Sequence, residues 1–339
     1  MKALRRVVLA GAFVLALTVS LFLIRSGSSA APDYQRVSSF QGLEEKIIEV
    51  AAGATGSQIA LTLYEAGIVK SSQAFFRVAV SDPRSQQIAP GLHKISVKIS
   101  AQQALEQLLD PERIPNLVKV FEGERKSEIV ESLQKYGFTS AEIRNAFQKL
   151  KLPDGFKDSE GLLFPAQYSF VDGISAADAL QQMIDRFQKD SVGIQLLQGS
   201  KSYSSLELLT IASIIQAEGD TSNFDKVSRV IYNRLKIGMP LQMDSTVHFI
   251  MNVRGDIFLS SNSTKLKSAY NTYRNYGLPP GPIGSPGTQA MRAALNPTMG
   301  DWLYFITVAP GDTRFTSDFD QFNSWKVLYT KNRKAGAFN

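Results

Sequence analysis

An α+β fold is what this sequence predicts, on three observations. A strand, turn and helix pattern occurs twice near the N-terminal end, a nearly all-apolar helix runs through the middle, and a hydrophobic fraction of 44% suits a chain that buries a core. With 339 residues there is room for two domains.

At the N-terminus Lys2, Arg5 and Arg6 precede residues 7–24, which carry no charge, and Arg25 and a small polar run to Ala30 follow. Eighteen uncharged residues reach the lower limit for a membrane-spanning helix and exceed the apolar core of most cleaved signals, which favours an uncleaved anchor. Ser28 and Ala30 keep a small-residue cleavage site open as the alternative. The basic excess before the span places the N-terminus in the cytoplasm and everything after Arg25 outside. The expectation is a single-pass protein of the cell membrane. Residues 1–25 form its cytoplasmic N-terminus and transmembrane anchor, and residues 26–43, rich in Ser, Ala and Gln, form a tether to extracytoplasmic domains.

The formal net charge of +6 resembles that of a nucleic-acid binder until it is divided. Four of the 37 basic residues flank the apolar span, and the remainder nearly balance the 31 acidic ones. Nucleic acid loses its support as a partner. With no cysteine, disulfides, thiol catalysis and zinc-thiolate sites are excluded, and the two histidines, His93 and His248, are too few for a histidine cluster. Neither a phosphate loop nor a dinucleotide fingerprint occurs, and no serine sits in a Gly-x-Ser-x-Gly turn, so no cofactor or metal is expected.

Folding is expected to begin near Glu44. Val50, Gly53, Ser57, Ile59, Leu63 and Gly67 recur at an offset of 70 as Val120, Gly123, Ser127, Ile129, Leu133 and Gly137. In each copy the valine ends an apolar-alternating strand, the first glycine turns the chain, isoleucine and leucine at i, i+4 give a helix its stripe, and the last glycine caps it. Residues 91–97 read as a further strand and 101–109 as a helix. They complete a small α+β region over residues 44–115, after which residues 116–339 form the second, mixed α+β domain.

From 143 to 198 the pattern is mainly helical, broken at 160–171, where Phe164, Tyr168 and Phe170 mark an aromatic turn and strand that belongs to the core. The apolar run of residues 206–217 follows, then a helix over 226–237 with Val227, Val230, Ile231 and Leu235 on one face. Residues 238–315 are dense in Pro, Gly, Asn, Thr and Tyr and read as rigid polar-aromatic loops rather than regular elements.

Glu218 closes the apolar run, four residues after Ile214 and three after Ile215, so at helical spacing its side chain shares their buried face. Desolvation there raises a carboxyl pKa toward the operating pH and makes a general acid. The competing reading is a water-exposed last-turn residue with Gly219 as the cap. Asp244 is the best second carboxylate, in a loop beyond the next helix, although Asp244-Ser245-Thr246 is also a good N-cap sequence. Glycosidic cleavage ordinarily takes two carboxylates, but a substrate that supplies its own nucleophile needs only one acid/base.

Several motifs then stand in order. They are Gly161-Leu162-Leu163-Phe164-Pro165, Ala212-Ser213-Ile214-Ile215-Gln216-Ala217-Glu218, Val230-Ile231-Tyr232-Asn233-Arg234-Leu235, Gly238-Met239-Pro240-Leu241-Gln242 and Asp244-Ser245-Thr246-Val247. Tyr270-Asn271-Thr272-Tyr273, Gly277-Leu278-Pro279-Pro280-Gly281-Pro282-Ile283, Pro286-Gly287, Asn296-Pro297 and Tyr304-Phe305 complete the set. Together they resemble the endolytic murein transglycosylases of the YceG-like (MltG) type.

That resemblance implies a membrane-anchored enzyme that cleaves between N-acetylmuramic acid and N-acetylglucosamine within nascent peptidoglycan glycan strands. The product is a 1,6-anhydromuramyl end. It implies Glu218 as the catalytic acid and base, with Gln242, Asp244, Ser245 and Thr246 lining the cleft and Tyr270, Asn271 and Tyr273 stacking on or bonding to the sugars. It makes residues 44–115 LysM-like and places cell-wall synthases beside the enzyme as partners. Two positions depart from the family: Gln216 stands where many relatives carry glutamate, and Gly311-Asp312-Thr313-Arg314-Phe315 lacks the histidine of a Gly-His-x-Phe segment. A water-using muramidase with Asp244 positioning the water, and a catalytically silent glycan-binding scaffold, remain the alternatives.

Overall fold

The computed structural model describes residues 31–51, 53–115, 117–171, 173–254 and 262–338. The expected anchor lies outside them. No helix among the described residues is long and apolar enough to cross a membrane. The chain divides into two compact units, one ending at Pro115 and one following it. Both are mixed α+β, mostly helical, with two-stranded antiparallel sheets.

In the first unit, strand β1 (Glu45–Val50) leads through Gly53, at φ 77°, into helix α1 (Gly56–Glu65). Thr55 and Gln58 form a reciprocal capping box at its start. Gly67, at φ 73°, ends the turn after α1, and the Ile68 N–H returns to the Leu63 carbonyl at 2.9 Å. Helix α2 (Ser72–Ser81) follows, then strand β2 (Gly91–Ser96), antiparallel to β1 with Ile48 opposite His93, and helix α3 (Ala101–Leu108). The core joins Ile48, Ile59, Leu63, Phe75, Ile95 and Leu105. Helix α2 goes beyond the sequence reading; its signal is Ser71 capping the Ala74 N–H ahead of the buried stripe Ala74, Phe75 and Ala79.

The expected tether is partly tied down. Asp33 accepts hydrogen bonds from the Ala101 N–H, and Val37 exchanges N–H and carbonyl bonds with the Gln103 amide at 3.0 and 2.7 Å. An acidic side chain at a helix start and a buried amide with both groups satisfied are reasons for an extended segment to stay docked. The order therefore begins before Glu44.

The second unit opens with the repeat's second copy: strand β3 (Leu117–Val120), Gly123 at φ 81°, helix α4 (Lys126–Tyr136) and Gly137 at φ 130°. Helix α5 (Ser140–Phe147) follows, and strand β4 (Ala166–Ser169) pairs antiparallel with β3. Phe164, Tyr168 and Phe170 are buried, as a core reading requires. Helices α6 (Ala176–Lys189) and α7 (Ser191–Leu197) lead to the central helix α8 (Ser205–Glu218). Every residue of α8 from Leu208 to Ile215 is buried, so the absence of an amphipathic stripe reflects a helix enclosed on all sides. Ser204 and Glu207 cap its start reciprocally.

Helix α9 (Phe224–Lys236) packs on α8 and fastens the C-terminal segment with five side chains, one of them Arg229, which donates to the Pro297 and Thr298 carbonyls. Ser228 bonds the Ala293 carbonyl, Tyr232 that of Ala294, Asn233 those of Gly300 and Trp302, and Arg234 that of Leu303. These bonds account for most of the motif around Tyr232-Asn233-Arg234. Residues 238–315 are more regular than predicted. They hold helices α10 (Asp244–Met251) and α11 (Thr288–Leu295) and the antiparallel hairpin β5 (Tyr304–Ala309) and β6 (Asp312–Thr316), before a last helix α12 (Phe319–Lys334). Short elements dense in Pro and Gly at their ends leave too few residues for a periodic pattern.

Candidate active site

Glu218 ends helix α8 and is half-buried, with its carboxyl enclosed by the first turn of α10. The Ser245 backbone N–H donates to Glu218 Oε1 at 3.0 Å. Gly219 does terminate α8, but in extended conformation at φ −117°, not as a left-handed cap. An added Cβ there would lie 3.0 Å from the Phe224 ring, a tight contact that glycine avoids. Burial holds the Glu218 pKa above the ordinary carboxylate range, and the negative charge of Asp244 adds to the rise. Ser245 and His248, on the same face of α10, pull the other way.

A cleft of about 470 Å³ opens over this carboxyl. Of the residues expected from the sequence, Gln242, Asp244 and Tyr273 line it with Glu218. Asp244 is the first residue of α10, not the N-cap that its sequence allowed; Met243 holds that place. The Tyr273 hydroxyl donates to Asp244 Oδ1, and burial with this bond raises the tyrosine pKa. Gln242 sits at φ 48°, a left-handed conformation that a side-chain-bearing residue adopts at a cost. It is held there by its N–H to the Thr272 carbonyl at 3.1 Å, while the next N–H, that of Met243, donates to Thr272 Oγ1 at 2.9 Å.

The other expected residues stand behind or away from the cleft. The Thr246 hydroxyl is fully buried against the Met243 carbonyl and the Thr272 hydroxyl, at 2.7 and 2.9 Å. Asn271 is also fully buried: its amide donates to the carbonyls of Thr264 and Leu266 and accepts from the Tyr273 N–H. It braces the loop that carries Tyr273 and does not line the cleft. Tyr270 packs on Phe249 at 4.9 Å between ring centres, and its hydroxyl lies in the field of Glu160 and Asp158. Ser245 contributes its N–H, while its buried hydroxyl has no hydrogen bond of normal geometry.

The sequence reading missed the opposite wall. Together with Met243, the residues Arg234, Tyr304, Phe305, Phe319, Phe322 and Lys326 complete the cleft lining, the last three from α12. Arg234 and Tyr304 lay within quoted motifs, but nothing in their spacing distinguished wall from scaffold. The Arg234 guanidinium donates to the Leu241 and Leu303 carbonyls and is buried, which lowers its pKa against the opposing charges of nearby groups. It spans the chain on either side of the cleft.

Gln216 and Glu218, two residues apart, project from nearly opposite sides of α8. Gln216 Oε1 accepts the Gly287 N–H at 2.9 Å, at the start of α11. The departure from glutamate thus falls on a contact between helices, outside the cleft lining. Another carboxyl whose pKa burial raises is that of Glu160, pushed up to about 7. It accepts the Lys126 N–H at 3.0 and 3.3 Å and so caps α4. Arg314, in the segment that lacks the family's histidine, forms an ion pair with Asp312 on its own strand, at 2.7 Å.

The model of the YceG-like family matches residues 48–326. The chain belongs to the YceG-like family. It is 37% identical over 179 residues to an endolytic murein transglycosylase of Bacillus subtilis, an alignment covering 52% of this chain and 49% of that one. A protein of the same name from Streptococcus pneumoniae is 36% identical over 152 residues, 43% of this chain and 28% of its own. The chain therefore matches about half, or less, of the length of these relatives. The crystal structure of a YceG-like protein from Listeria monocytogenes shares the fold, with a TM-score of 0.56 at 24% identity over 83% of this chain and 98% of that one.

Proposed function

We propose that this protein is a membrane-anchored endolytic peptidoglycan lytic transglycosylase in which Glu218 acts first as acid and then as base. The observation that carries the reading is a desolvated carboxyl, protonated above the usual range, on the wall of a cleft with a backbone N–H aimed at one oxygen. The names of the Bacillus and Streptococcus relatives support the choice of substrate.

Glu218 gives its proton to the glycosidic oxygen as the bond from the muramyl anomeric carbon breaks. The carboxylate left behind keeps the Ser245 N–H bond and accepts the proton of the muramyl C6 hydroxyl, whose oxygen forms the new bond to the anomeric carbon. One bond breaks, one forms, the proton returns to Glu218, and no water is consumed. Asp244, fixed by the Tyr273 hydroxyl, helps to hold Glu218 protonated between turnovers. Gln242 presents its amide to hydroxyl or N-acetyl groups from a constrained backbone. In this reading the first unit is LysM-like and holds glycan, residues 7–24 anchor the chain with its domains outside the cell, and cell-wall synthases are its neighbours.

One observation favours a second reading: Asp244 shares the cleft with Glu218, where it is placed to position a water and make the enzyme a muramidase. Digestion of purified glycan strands by wild type and Glu218→Gln, with products read by mass, separates the possibilities. Anhydromuramyl ends that disappear in the variant support the proposal. A reducing end, heavier by one water, selects the muramidase, and an inactive wild type leaves the glycan-binding scaffold.

A further inference from the structure

Helix α10 starts without a cap of its own. Its N-cap is Met243, whose side chain has no oxygen to offer the first-turn N–H groups. One of those groups, the Ser245 N–H, goes to Glu218 Oε1 instead, so the carboxyl assigned to catalysis stands where a cap would. That bond is only as well aimed as the turn that carries it, and a helix of 8 residues is too short to hold its own start.

What fixes the turn is a closed ring of hydrogen bonds through two hydroxyls. The Met243 N–H donates to Thr272 Oγ1 at 2.9 Å, the Thr272 hydroxyl meets Thr246 Oγ1 at 2.9 Å, and the Thr246 hydroxyl donates to the Met243 carbonyl at 2.7 Å. Thr246 has one proton and gives it to that carbonyl, so Thr272 is the donor between the two hydroxyls. The Thr272 carbonyl also takes the Gln242 N–H at 3.1 Å, at the residue whose backbone is left-handed. Both threonines are buried, and neither lines the cleft.

We propose that Thr272 is a positioning residue for the reaction: from behind the cleft its hydroxyl and carbonyl set the start of α10, and with it the Ser245 N–H on Glu218 and the places of Gln242 and Asp244. The assignment rests on the reading of Glu218 as acid and then base. In that reading the N–H stabilises the carboxylate that forms as the proton leaves, so a displaced turn slows proton donation and keeps Glu218 protonated to higher pH. Asp244 and His248 on α10, Arg234 on α9 and Tyr273 also face Glu218, with Tyr304 and Lys326 on the opposite wall. All of them are kept in the variants that test the idea.

Thr272→Val keeps the shape of the side chain and leaves the Met243 N–H without its acceptor, whereas Thr272→Ser keeps the hydroxyl. On purified glycan strands Thr272→Val is expected to lower kcat about tenfold with a smaller change in KM, and to move the basic limb of the kcat/KM profile to higher pH by up to about one unit. Thr272→Ser is expected to restore both. A merely structural role would lower the yield of folded enzyme and leave the limb in place. An unmoved limb in Thr272→Val, or a loss that Thr272→Ser shares, overturns the assignment. Where Thr272→Val does not fold, Thr246→Val opens the same ring at its next hydroxyl, with Thr246→Ser as its conservative partner, and the same outcomes decide. If wild type cleaves no strand, the enzymatic reading fails separately, and NMR titration of the glutamate carboxyl carbons decides the positioning without substrate, the Glu218 signal being identified by its loss in Glu218→Gln. A Glu218 pKa higher in Thr272→Val than in wild type supports the positioning role, and an equal one overturns it.

Discussion

Glu218→Gln has a consequence for stability that is independent of any substrate. The replacement keeps side-chain length and leaves an oxygen for the Ser245 N–H, while removing the proton that burial forces the folded protein to hold. From the ordinary value of 4.5 up to the raised folded value, the native state binds a proton that the unfolded chain has released. Wild-type stability therefore falls as pH rises through that window, by at most about 1.4 kcal/mol per pH unit, and levels off above the folded pKa. The variant lacks this slope, so its stability relative to wild type grows with pH over the same interval. Urea unfolding of both proteins at half-unit steps from pH 4.5 to 8 measures the difference. Parallel profiles would show that Glu218 titrates like a solvated carboxylate and would remove the physical basis of its role as acid. The same variant is expected to lose about 10²- to 10⁴-fold in kcat, so gained stability and lost cleavage should appear together.

Asp244→Asn removes a negative charge that raises the Glu218 pKa, so the basic limb of the kcat/KM profile should move to lower pH by up to about one unit; an unmoved or alkaline-shifted limb would contradict the geometry. His93 is fully buried and its pKa is lowered by desolvation, so the folded first unit resists a proton that the unfolded chain accepts. Stability should be lost as pH falls from the ordinary value of 6.5 through the lowered one, and His93→Leu should flatten that loss in thermal melts at pH 7 and 5. Gly161 is at φ +83°, and an added Cβ would lie 2.7 Å from Cβ of Pro282. Gly161→Ala should cost about 2–4 kcal/mol in urea unfolding, because neither the proline ring nor the backbone angle can yield cheaply.

The parts of the fold that were legible in the sequence are those whose signals are local. The repeat places its glycines at positive φ and its Ile–Leu pairs in the core, in both copies. Helix α8 was legible through its apolar run, and α9 through its stripe. The last helix was not, because α12 buries none of its residues and so writes no stripe. The site divides in the same way. Glu218 was legible as a carboxyl on a buried face, and Asp244 and Tyr273 as polar groups in an ordered segment, yet Asn271 looks identical in a sequence whether it faces a sugar or braces a loop. Only its three protein hydrogen bonds reveal the second role. The aromatic wall brings Arg234 and Tyr304 together with residues of α12, a juxtaposition that no sequence spacing records.

The two copies of the repeat have unequal room to change. At Gly53 an added Cβ meets nothing within 4 Å, whereas at Gly123 it meets Cγ of Gln216 at 3.5 Å. The Gly123 N–H also donates to the Ser285 carbonyl, and the Ser285 N–H to that of Glu124, both at 2.7 Å. Both glycines hold a positive φ that strains any side chain, but only the second turn is also wedged against the last turn of the helix that ends in Glu218. Grafting the first copy's turn onto the second would preserve strand and helix and still disturb the helix end that carries Glu218, because sequence equivalence between the copies does not extend to what each one touches.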